Sequence, residues 1–184
     1  KDGDMVVTID SEMNQKGTYR PYIACAAVTL PALDHNSLRE IMRLQENLHW
    51  GIGRDRKLAS IGVYDRDTIT DQIEYTAIDP DTHKFCPLGM PNTEMTPRQI
   101  LEDHPKGAAY AHLMQPYKKY PALIDSNGQV LSMPPIINSD ETKCKIGSTR
   151  LFIDVTGLSR DAVVKSLNTL VSALVELGGD IENV

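Results

Sequence analysis

Residues 122–140 read ALIDSNGQVLSMPPIINSD, and the first half of this stretch carries a strong β-hairpin signal. Asn127-Gly128 lies between two short β-prone runs, residues 122–125 and residues 129–131. Asn-Gly supplies the positive φ angles that a tight hairpin turn requires. The stretch therefore predicts two antiparallel strands joined by a short turn.

The second half of the same stretch combines conformational rigidity with polar side chains. Ser132 carries a hydroxyl, and Pro134-Pro135 follows two residues later. The two prolines restrict φ and remove two backbone donors, so the chain is stiff at this point. An apolar pair then leads to Asn138. We expect a rigid loop that presents polar groups to a pocket.

The rest of the chain predicts an α+β fold, with layered mixed β-sheets and packed helices in a single domain covering residues 1–184. Strand-like runs are residues 5–9, 22–30, 73–78 and 149–155, and the second of these is a small apolar run typical of a core strand. Residues 80–121 are rich in proline and turn residues, and we expect a connective excursion with two weak helices, residues 96–102 and 106–114.

Helical periodicity is clearest in residues 34–50, where Ser37 and Glu40 have the spacing of a capping box and Gly51 follows the last turn. Asp65 begins an acidic stretch that is expected to form a loop. Ser159 is the expected N-cap of the final helix, which should end at Gly178-Gly179.

Composition narrows the class of protein. The chain has 184 residues, 41% of them hydrophobic, which suits a soluble globular domain with a sizeable core. Its net charge of -6 argues against broad nucleic-acid binding unless a local basic patch exists. Cys25, Cys86 and Cys144 lack any Cys-x-x-Cys spacing, which favours reduced thiols in the cytoplasm and no metal site. No apolar run reaches the roughly 18 residues of a membrane span. Because the chain starts at Lys1, we expect a piece of a longer protein.

Signatures of the common motif enzymes are missing, namely the phosphate loop, the dinucleotide fingerprint, the serine-hydrolase elbow and the zincin motif. The five histidines are scattered. His49 precedes Trp50 and a basic segment, although a histidine at a helix C-terminus is also favoured by the helix dipole. Arg54 and Arg56 could hold phosphates, or they could form a solvated face at the same helix end.

Asp154 has an unusual position for an acidic residue. Along residues 151–155, the period-2 alternation of a strand places Phe152 and Asp154 on one face and Leu151 and Ile153 on the other. One interpretation is a carboxylate that caps backbone donors at the end of the strand. The other is a pocket residue, which the hairpin and this strand could bring close to Ser132 and Asn138. Both interpretations remain open at this point.

Three blocks carry a family resemblance, in this order and spacing: LQENLHWGIGRDRKLASIGVYDRDTI at residues 44–69, YPALIDSNGQVLSMPPIINSD at residues 120–140, and TRLFIDVTG at residues 149–157. Together they resemble the editing domain of the beta subunit of phenylalanyl-tRNA synthetase, of the archaeal and eukaryotic cytosolic type. The resemblance implies hydrolysis of tyrosine wrongly attached to phenylalanine tRNA, within a synthetase of two alpha and two beta chains. It also implies partners, namely the 3′ end of that tRNA, the alpha subunit and the rest of the beta subunit.

The resemblance further assigns residues. Leu123, Ser132, Asn138 and Asp154 match pocket positions, with Pro134 and Pro135 shaping the wall, while His49, Arg54 and Arg56 are candidates for contacts to the tRNA. Asn138 and Asp154 are the expected catalytic residues, and an oriented water is the expected nucleophile. Editing is expected to need no cofactor, since ATP and magnesium serve only the complete synthetase. The alternatives are a non-catalytic module that supports the synthetase or contacts RNA, and a free-standing deacylase.

Overall fold

A computed structural model of the chain describes residues 5–14 and 19–184. The chain divides into two compact units. Unit 1 comprises Lys1–Pro21 and Ile69–Lys143, and unit 2 comprises Tyr22–Thr68 and Cys144–Val184. Each unit is therefore built from two separate stretches of sequence.

Nine strands and four α-helices form within the described residues. The strands are β1 (Val6–Ile9), β2 (Tyr22–Thr29), β3 (Ala59–Asp65), β4 (Gln72–Ile78), β5 (Tyr120–Asp125), β6 (Val130–Met133), β7 (Ile137–Asn138), β8 (Arg150–Gly157) and β9 (Asp180–Asn183). The α-helices are α1 (His35–Trp50), α2 (Pro97–Asp103), α3 (Pro105–Tyr110) and α4 (Arg160–Glu176). Short 3-10 turns occupy Ser11–Asn14, Arg66–Thr68 and Ala111–Leu113.

Unit 1 contains a five-stranded sheet in the order β1-β4-β5-β6-β7. The β1–β4 pair is parallel and the other pairs are antiparallel, so the sheet is mixed. β1 is an edge strand that exposes Val6 and Ile9. An apolar cluster packs on one face of the sheet. The cluster comprises Tyr19, Phe85, Met95, Ile100, Met114, Tyr120, Val130, Met133, Ile136 and Ile137.

The segment between β4 and β5 is more than the connective excursion expected from its composition. It supplies Phe85, Met95, Ile100 and Met114 to the apolar cluster of unit 1. The two predicted helices are confirmed as α2 and α3, the second continuing into a 3-10 turn. The proline-rich composition gave no sign of this role, because the four residues are far apart in the sequence and meet only in the folded unit.

The hairpin between β5 and β6 is confirmed, but its turn differs from the one predicted. Only Gly128 of the Asn127-Gly128 pair has a positive φ, of 80°. Asp125 stabilises the turn, because its Oδ1 accepts hydrogen bonds from the backbone N–H groups of Asn127 at 2.9 Å and Gln129 at 3.0 Å. A side chain that closes the turn removes the need for a second residue with positive φ.

Unit 2 contains a four-stranded antiparallel sheet in the order β3-β8-β2-β9. Helices α1 and α4 pack on one face, where they share an apolar cluster with alternate residues of the strands. Ile61, Leu151, Ile153, Leu167 and Leu170 are typical members of this cluster. Helices on one face of a sheet, and a mixed sheet in the other unit, confirm the predicted α+β class.

Two local predictions in unit 2 were wrong. The capping box of α1 joins Asp34 and Ser37, with the Asp34 carboxylate accepting from the Ser37 N–H, so Glu40 has no part in it. β3 was not predicted, and Asp65, which was assigned to an acidic loop, is its last residue. Gly51 is the C-cap of α1 and Ser159 caps α4, as predicted.

Candidate functional site

Three of the predicted pocket residues stand directly opposite one another on adjacent strands of unit 1. Leu123 on β5 pairs with Ser132 on β6, which in turn pairs with Asn138 on β7. Opposite residues of antiparallel strands project from the same face, with Cβ atoms roughly 4.5–5.5 Å apart. Tyr75 on β4 pairs with Leu123, and its hydroxyl donates to the carbonyl of Arg20 at 2.7 Å. We call Tyr75, Leu123, Ser132 and Asn138 the unit 1 row.

The unit 1 row lies on the face opposite the apolar cluster of this unit. Met133 and Ile137 are the immediate neighbours of Ser132 and Asn138, so strand alternation turns them to the cluster face. Leu123 is 0% exposed and Ser132 is 1% exposed, while Asn138 is half-buried. The row thus combines an apolar surface with a hydroxyl and a carboxamide, which together offer both donors and acceptors.

Pro134 and Pro135 form the short connection between β6 and β7, and both are buried. The peptide bond between them is cis. The N–H of Ile136 donates to the carbonyl of Met133 at 2.8 Å, which closes the connection into a tight turn. Ser132 was expected on a rigid loop but belongs to a strand, as does Asn138. The prolines are therefore responsible for the tight return of the chain that places Asn138 opposite Ser132.

Asp154 lies in the middle of β8 in unit 2 and is 1% exposed. The Tyr64 hydroxyl on neighbouring β3 donates to its Oδ1 at 2.5 Å. The Tyr64 ring stacks on Phe152, with ring centroids 5.7 Å apart. The predicted alternation along this strand is therefore confirmed, because Phe152 and Asp154 share the face opposite the helices. Tyr64 was missed because β3 was missed, although alternation at residues 60–64 could have indicated it.

Two further residues flank Asp154 in register. Gly62 on β3 and Cys25 on β2 are its direct cross-strand partners. Burial, with a smaller contribution from the nearby Asp154 charge, raises the pKa of the Cys25 thiol well above its usual value. Cys25 is therefore a neutral thiol at physiological pH, and this environment does not activate it as a nucleophile.

The predicted tRNA-contacting residues have different environments in unit 2. His49 is 3% exposed, and its Nε2 accepts a hydrogen bond from the Ile61 N–H at 2.9 Å. Arg56 is 5% exposed and pairs with Glu46 at 2.9 Å. Arg54 is exposed. Two of the three side chains thus make buried structural contacts, and Arg54 is the one that solvent reaches. A role for all three at the tRNA remains a prediction.

The turn that carries Arg54 and Arg56 has an uncommon backbone. Arg54, Asp55 and Arg56 all have positive φ, of 47°, 52° and 66°. Each such residue costs on the order of 1–2 kcal/mol when it is not glycine. Gly53, just before them, cannot carry a side chain, because a Cβ there would lie 2.6 Å from the His49 carbonyl oxygen. The turn is therefore held by the close approach of the chain to the end of α1.

Two other features bear on the class of site, namely metal ligands and membrane-spanning helices. Among residues 5–14 and 19–184, no group of three or more His, Cys, Asp or Glu side chains is arranged to hold a metal ion. In the same part of the chain, no helix is both long enough and apolar enough to cross a membrane. Cys25, Cys86 and Cys144 are free thiols.

The fold and these groups define an α+β protein with two buried polar sites, the unit 1 row and the Tyr64–Asp154 pair. No protein-family model matches the chain. It is 44% identical over 184 residues to the phenylalanine–tRNA ligase beta subunit of Methanosphaera stadtmanae, a match that covers 100% of this chain and 32% of that protein. It is also 46% identical over 183 residues to the corresponding beta subunit of Methanococcus maripaludis, again covering 32% of the relative.

A solved structure shares the fold. The N-terminal fragment of the phenylalanyl-tRNA synthetase beta subunit from Pyrococcus horikoshii superposes with a TM-score of 0.90 and 42% identity, covering 98% of this chain and 51% of that one. The chain spans about a third of the length of the curated relatives it matches. It is thus similar over nearly its whole length to the solved N-terminal fragment, and over its whole length to part of the two curated beta subunits.

Proposed function

We propose that this chain is the editing region of a phenylalanyl-tRNA synthetase beta subunit, and that it hydrolyses tyrosine from mischarged phenylalanine tRNA. The unit 1 row carries the proposal, since Leu123, Ser132 and Asn138 form one surface with the chemistry that an aromatic amino-acid ester requires. Similarity to beta subunits over all of the chain supports the setting within a synthetase.

The need for such a site follows from the limits of binding discrimination. A pocket shaped for phenylalanine rejects an added hydroxyl by only roughly a hundredfold. A site that hydrogen-bonds the tyrosine hydroxyl rejects phenylalanine by roughly ten-thousandfold or more, because its own buried polar groups are otherwise left unpaired. Editing therefore requires a buried polar group that can receive a phenolic hydroxyl.

Asp154 is suited to that task. It is a buried carboxylate, and it accepts a hydrogen bond from the phenol of Tyr64. We assign it to the tyrosine hydroxyl of the substrate. An ionised carboxylate is purely a hydrogen-bond acceptor, and its two oxygens have capacity for more than one hydrogen bond. The phenylalanine ring has no hydroxyl to donate to this carboxylate. The difference would favour release of tyrosine over release of phenylalanine.

For the unit 1 row, taken by itself, we propose the following roles. Leu123 contacts the aromatic ring, Ser132 offers a second hydroxyl partner, and Asn138 donates to the ester carbonyl or holds the attacking water. Pro134 and Pro135 shape the wall. No residue of the row is a strong nucleophile, so we propose direct attack by an oriented water, assisted by a terminal ribose hydroxyl of the tRNA. Editing by this route needs no cofactor, whereas ATP and magnesium would serve only the complete synthetase.

The partners follow from the same proposal. The chain would act on the 3′ end of phenylalanine tRNA, in the cytoplasm, as one part of a beta subunit assembled with an alpha subunit. A net charge of -6 gives the chain little general attraction for a polyanion. The tRNA would therefore be held mainly by the rest of the synthetase, with Arg54 as the exposed local contact.

The test is release of tyrosine from preformed Tyr-tRNA of the phenylalanine acceptor, measured for this chain and for the complete synthetase. Phe-tRNA is the substrate control. Asn138→Ala should lower tyrosine release by roughly a hundredfold or more, the usual effect of removing one transition-state donor. Asn168→Ala is the matched control, because Asn168 is exposed on α4. Its release rate should equal that of the wild type.

The non-catalytic alternative predicts a different result. If the module only supports the synthetase or contacts RNA, then Ser132→Ala, Asn138→Ala and Asp154→Ala would leave tyrosine release by the complete synthetase unchanged. That outcome would refute editing at these residues. Release by the complete enzyme but not by the isolated chain would instead assign the missing affinity to the rest of the synthetase, and would rule out a free-standing deacylase.

A further inference from the structure

Gly62, Tyr64 and Phe152 form a small structural unit around the carboxylate of Asp154. All four residues lie on β3 and β8 in unit 2. Tyr64 is 0% exposed, and its hydroxyl donates to Asp154 Oδ1 at 2.5 Å. Tyr64 is paired in register with Phe152, so its hydroxyl reaches Asp154 diagonally across the two strands. This contact is not one that strand pairing alone would produce.

Gly62 makes the diagonal contact possible. It is the direct cross-strand partner of Asp154. A Cβ at this position would lie 2.0 Å from the Tyr64 hydroxyl oxygen and 2.2 Å from Asp154 Oδ1. Both distances are far inside van der Waals contact, so any side chain at position 62 would displace one of the two groups. The missing side chain therefore provides the space in which the phenol and the carboxylate meet.

Phe152 determines where the ring of Tyr64 lies. The two rings stack with centroids 5.7 Å apart and planes 28° apart. Offset stacking of this kind contributes about 0.5–1.5 kcal/mol beyond area burial. Phe152 packs against the ring of Tyr64, and Gly62 leaves space for its hydroxyl. The Tyr64 hydroxyl therefore points at Asp154 before any ligand binds.

We propose that Tyr64 is a positioning residue that orients the Asp154 carboxylate to receive the tyrosine hydroxyl of an incoming substrate. This inference rests on the proposed editing function. A hydroxyl that donates to a carboxylate stabilises its ionised form, and it also limits rotation of the carboxylate plane. Tyr64 touches Asp154 and acts through it, so its loss should affect discrimination between tyrosine and phenylalanine more than hydrolysis as such.

Tyr64→Phe in the complete synthetase is the decisive variant, since it removes one oxygen atom and keeps the ring on Phe152. The rate constant kcat/KM for tyrosine release should fall by roughly tenfold to a hundredfold, the range expected for one hydrogen bond to a charged group. The slow release of phenylalanine should not change, so the ratio of the two should fall by the same factor. Tyr120→Phe is the matched control, because Tyr120 is a buried tyrosine on the apolar face of unit 1.

Two further variants separate positioning from a general loss of structure. In an Asp154→Ala background, adding Tyr64→Phe should have no further effect on the tyrosine-to-phenylalanine ratio, because the carboxylate through which Tyr64 acts is already missing. Gly62→Ala retains both partners but removes their contact, and should reduce the ratio as Tyr64→Phe does. Thermal unfolding of each variant shows whether the chain remains folded.

The outcomes separate the positioning role of Tyr64 from the editing function itself. Tyrosine release by the wild type, with a folded Tyr64→Phe enzyme whose tyrosine-to-phenylalanine ratio is unchanged, would overturn the positioning role and leave the editing function intact. Failure of the wild-type synthetase to release tyrosine would overturn the editing function, and the positioning role with it. If adding Tyr64→Phe to the Asp154→Ala enzyme lowered the tyrosine-to-phenylalanine ratio further, that result would also contradict action through Asp154.

Discussion

His49 should make the stability of this protein depend on pH in a way that a single substitution removes. Its Nε2 accepts the Ile61 N–H at 2.9 Å inside unit 2, where the ring is 3% exposed. Burial lowers the pKa of His49, the Arg56 charge adds to this, and Glu46 opposes it. Protonation at Nε2 would turn an acceptor into a donor facing another donor, so the folded state requires the neutral ring.

The direction of the effect follows from the two states of the chain. In the unfolded chain, His49 titrates near 6.5. Above this pH neither state binds the proton, and the neutral ring contributes its full stability. As the pH falls below about 6.5, the unfolded chain takes up a proton that the folded chain does not, so the free energy of unfolding decreases. The slope for one proton is at most about 1.4 kcal/mol per pH unit, and it ends at the lowered pKa of the folded state.

Urea unfolding of the wild type and of His49→Gln, at several pH values between about 7.5 and 5.5, measures the contribution of His49 protonation to the free energy of unfolding. Other titrating groups cancel in the difference, since both proteins share them. The wild type should lose stability relative to the variant as the pH falls. His35→Gln is the matched control, because His35 is exposed at the start of α1. A wild-type-minus-variant difference that stays constant across the whole range would refute the argument.

Three other substitutions test the packing of the units. Thr96→Ala removes the side chain that accepts from the Gln99 N–H at the start of α2, and should cost about 1 kcal/mol in urea unfolding. Leu170→Ala opens a cavity under α4, where Leu170 is 0% exposed, and should cost about 2–5 kcal/mol, so a loss below about 1 kcal/mol would contradict its core position. Gly107→Ala places a Cβ 1.7 Å from the Ile100 carbonyl oxygen, and its melting temperature should drop clearly, unlike that of an alanine substitution on an exposed helix face.

Periodicity was sufficient for the long elements. Apolar residues at helical spacing indicated α1 and α4, whose apolar sides indeed face the sheet of unit 2. Strand alternation correctly placed Phe152 and Asp154 on the same face of β8. These signals are local, because the side chain of each residue points in a direction that its own element determines. Helical periodicity and strand alternation can therefore be read from the sequence without knowledge of the tertiary structure.

Short elements and caps were harder to predict because several local solutions compete. Residues 59–65 carry a strand alternation, but Gly62 weakens it, because glycine has a low propensity for strands. Asp34 and Glu40 are both plausible partners for Ser37, and only the observed backbone shows that Asp34 is the cap. The candidate tRNA contacts illustrate the same limit, since Arg56 belongs to a basic segment and His49 precedes it, yet both side chains are buried in the fold.

Local patterns in the amino-acid sequence were sufficient to predict the α+β class, the two long helices, the hairpin and the alternation that turns Asp154 away from the helices. Which distant residues meet depends on the tertiary structure. It placed Leu123, Ser132 and Asn138 in one row, and it brought Tyr64 to Asp154 across 90 residues of sequence. The physical reason is that strand register depends on pairing between separate segments, and a shift of one residue would turn each of these side chains to the opposite face.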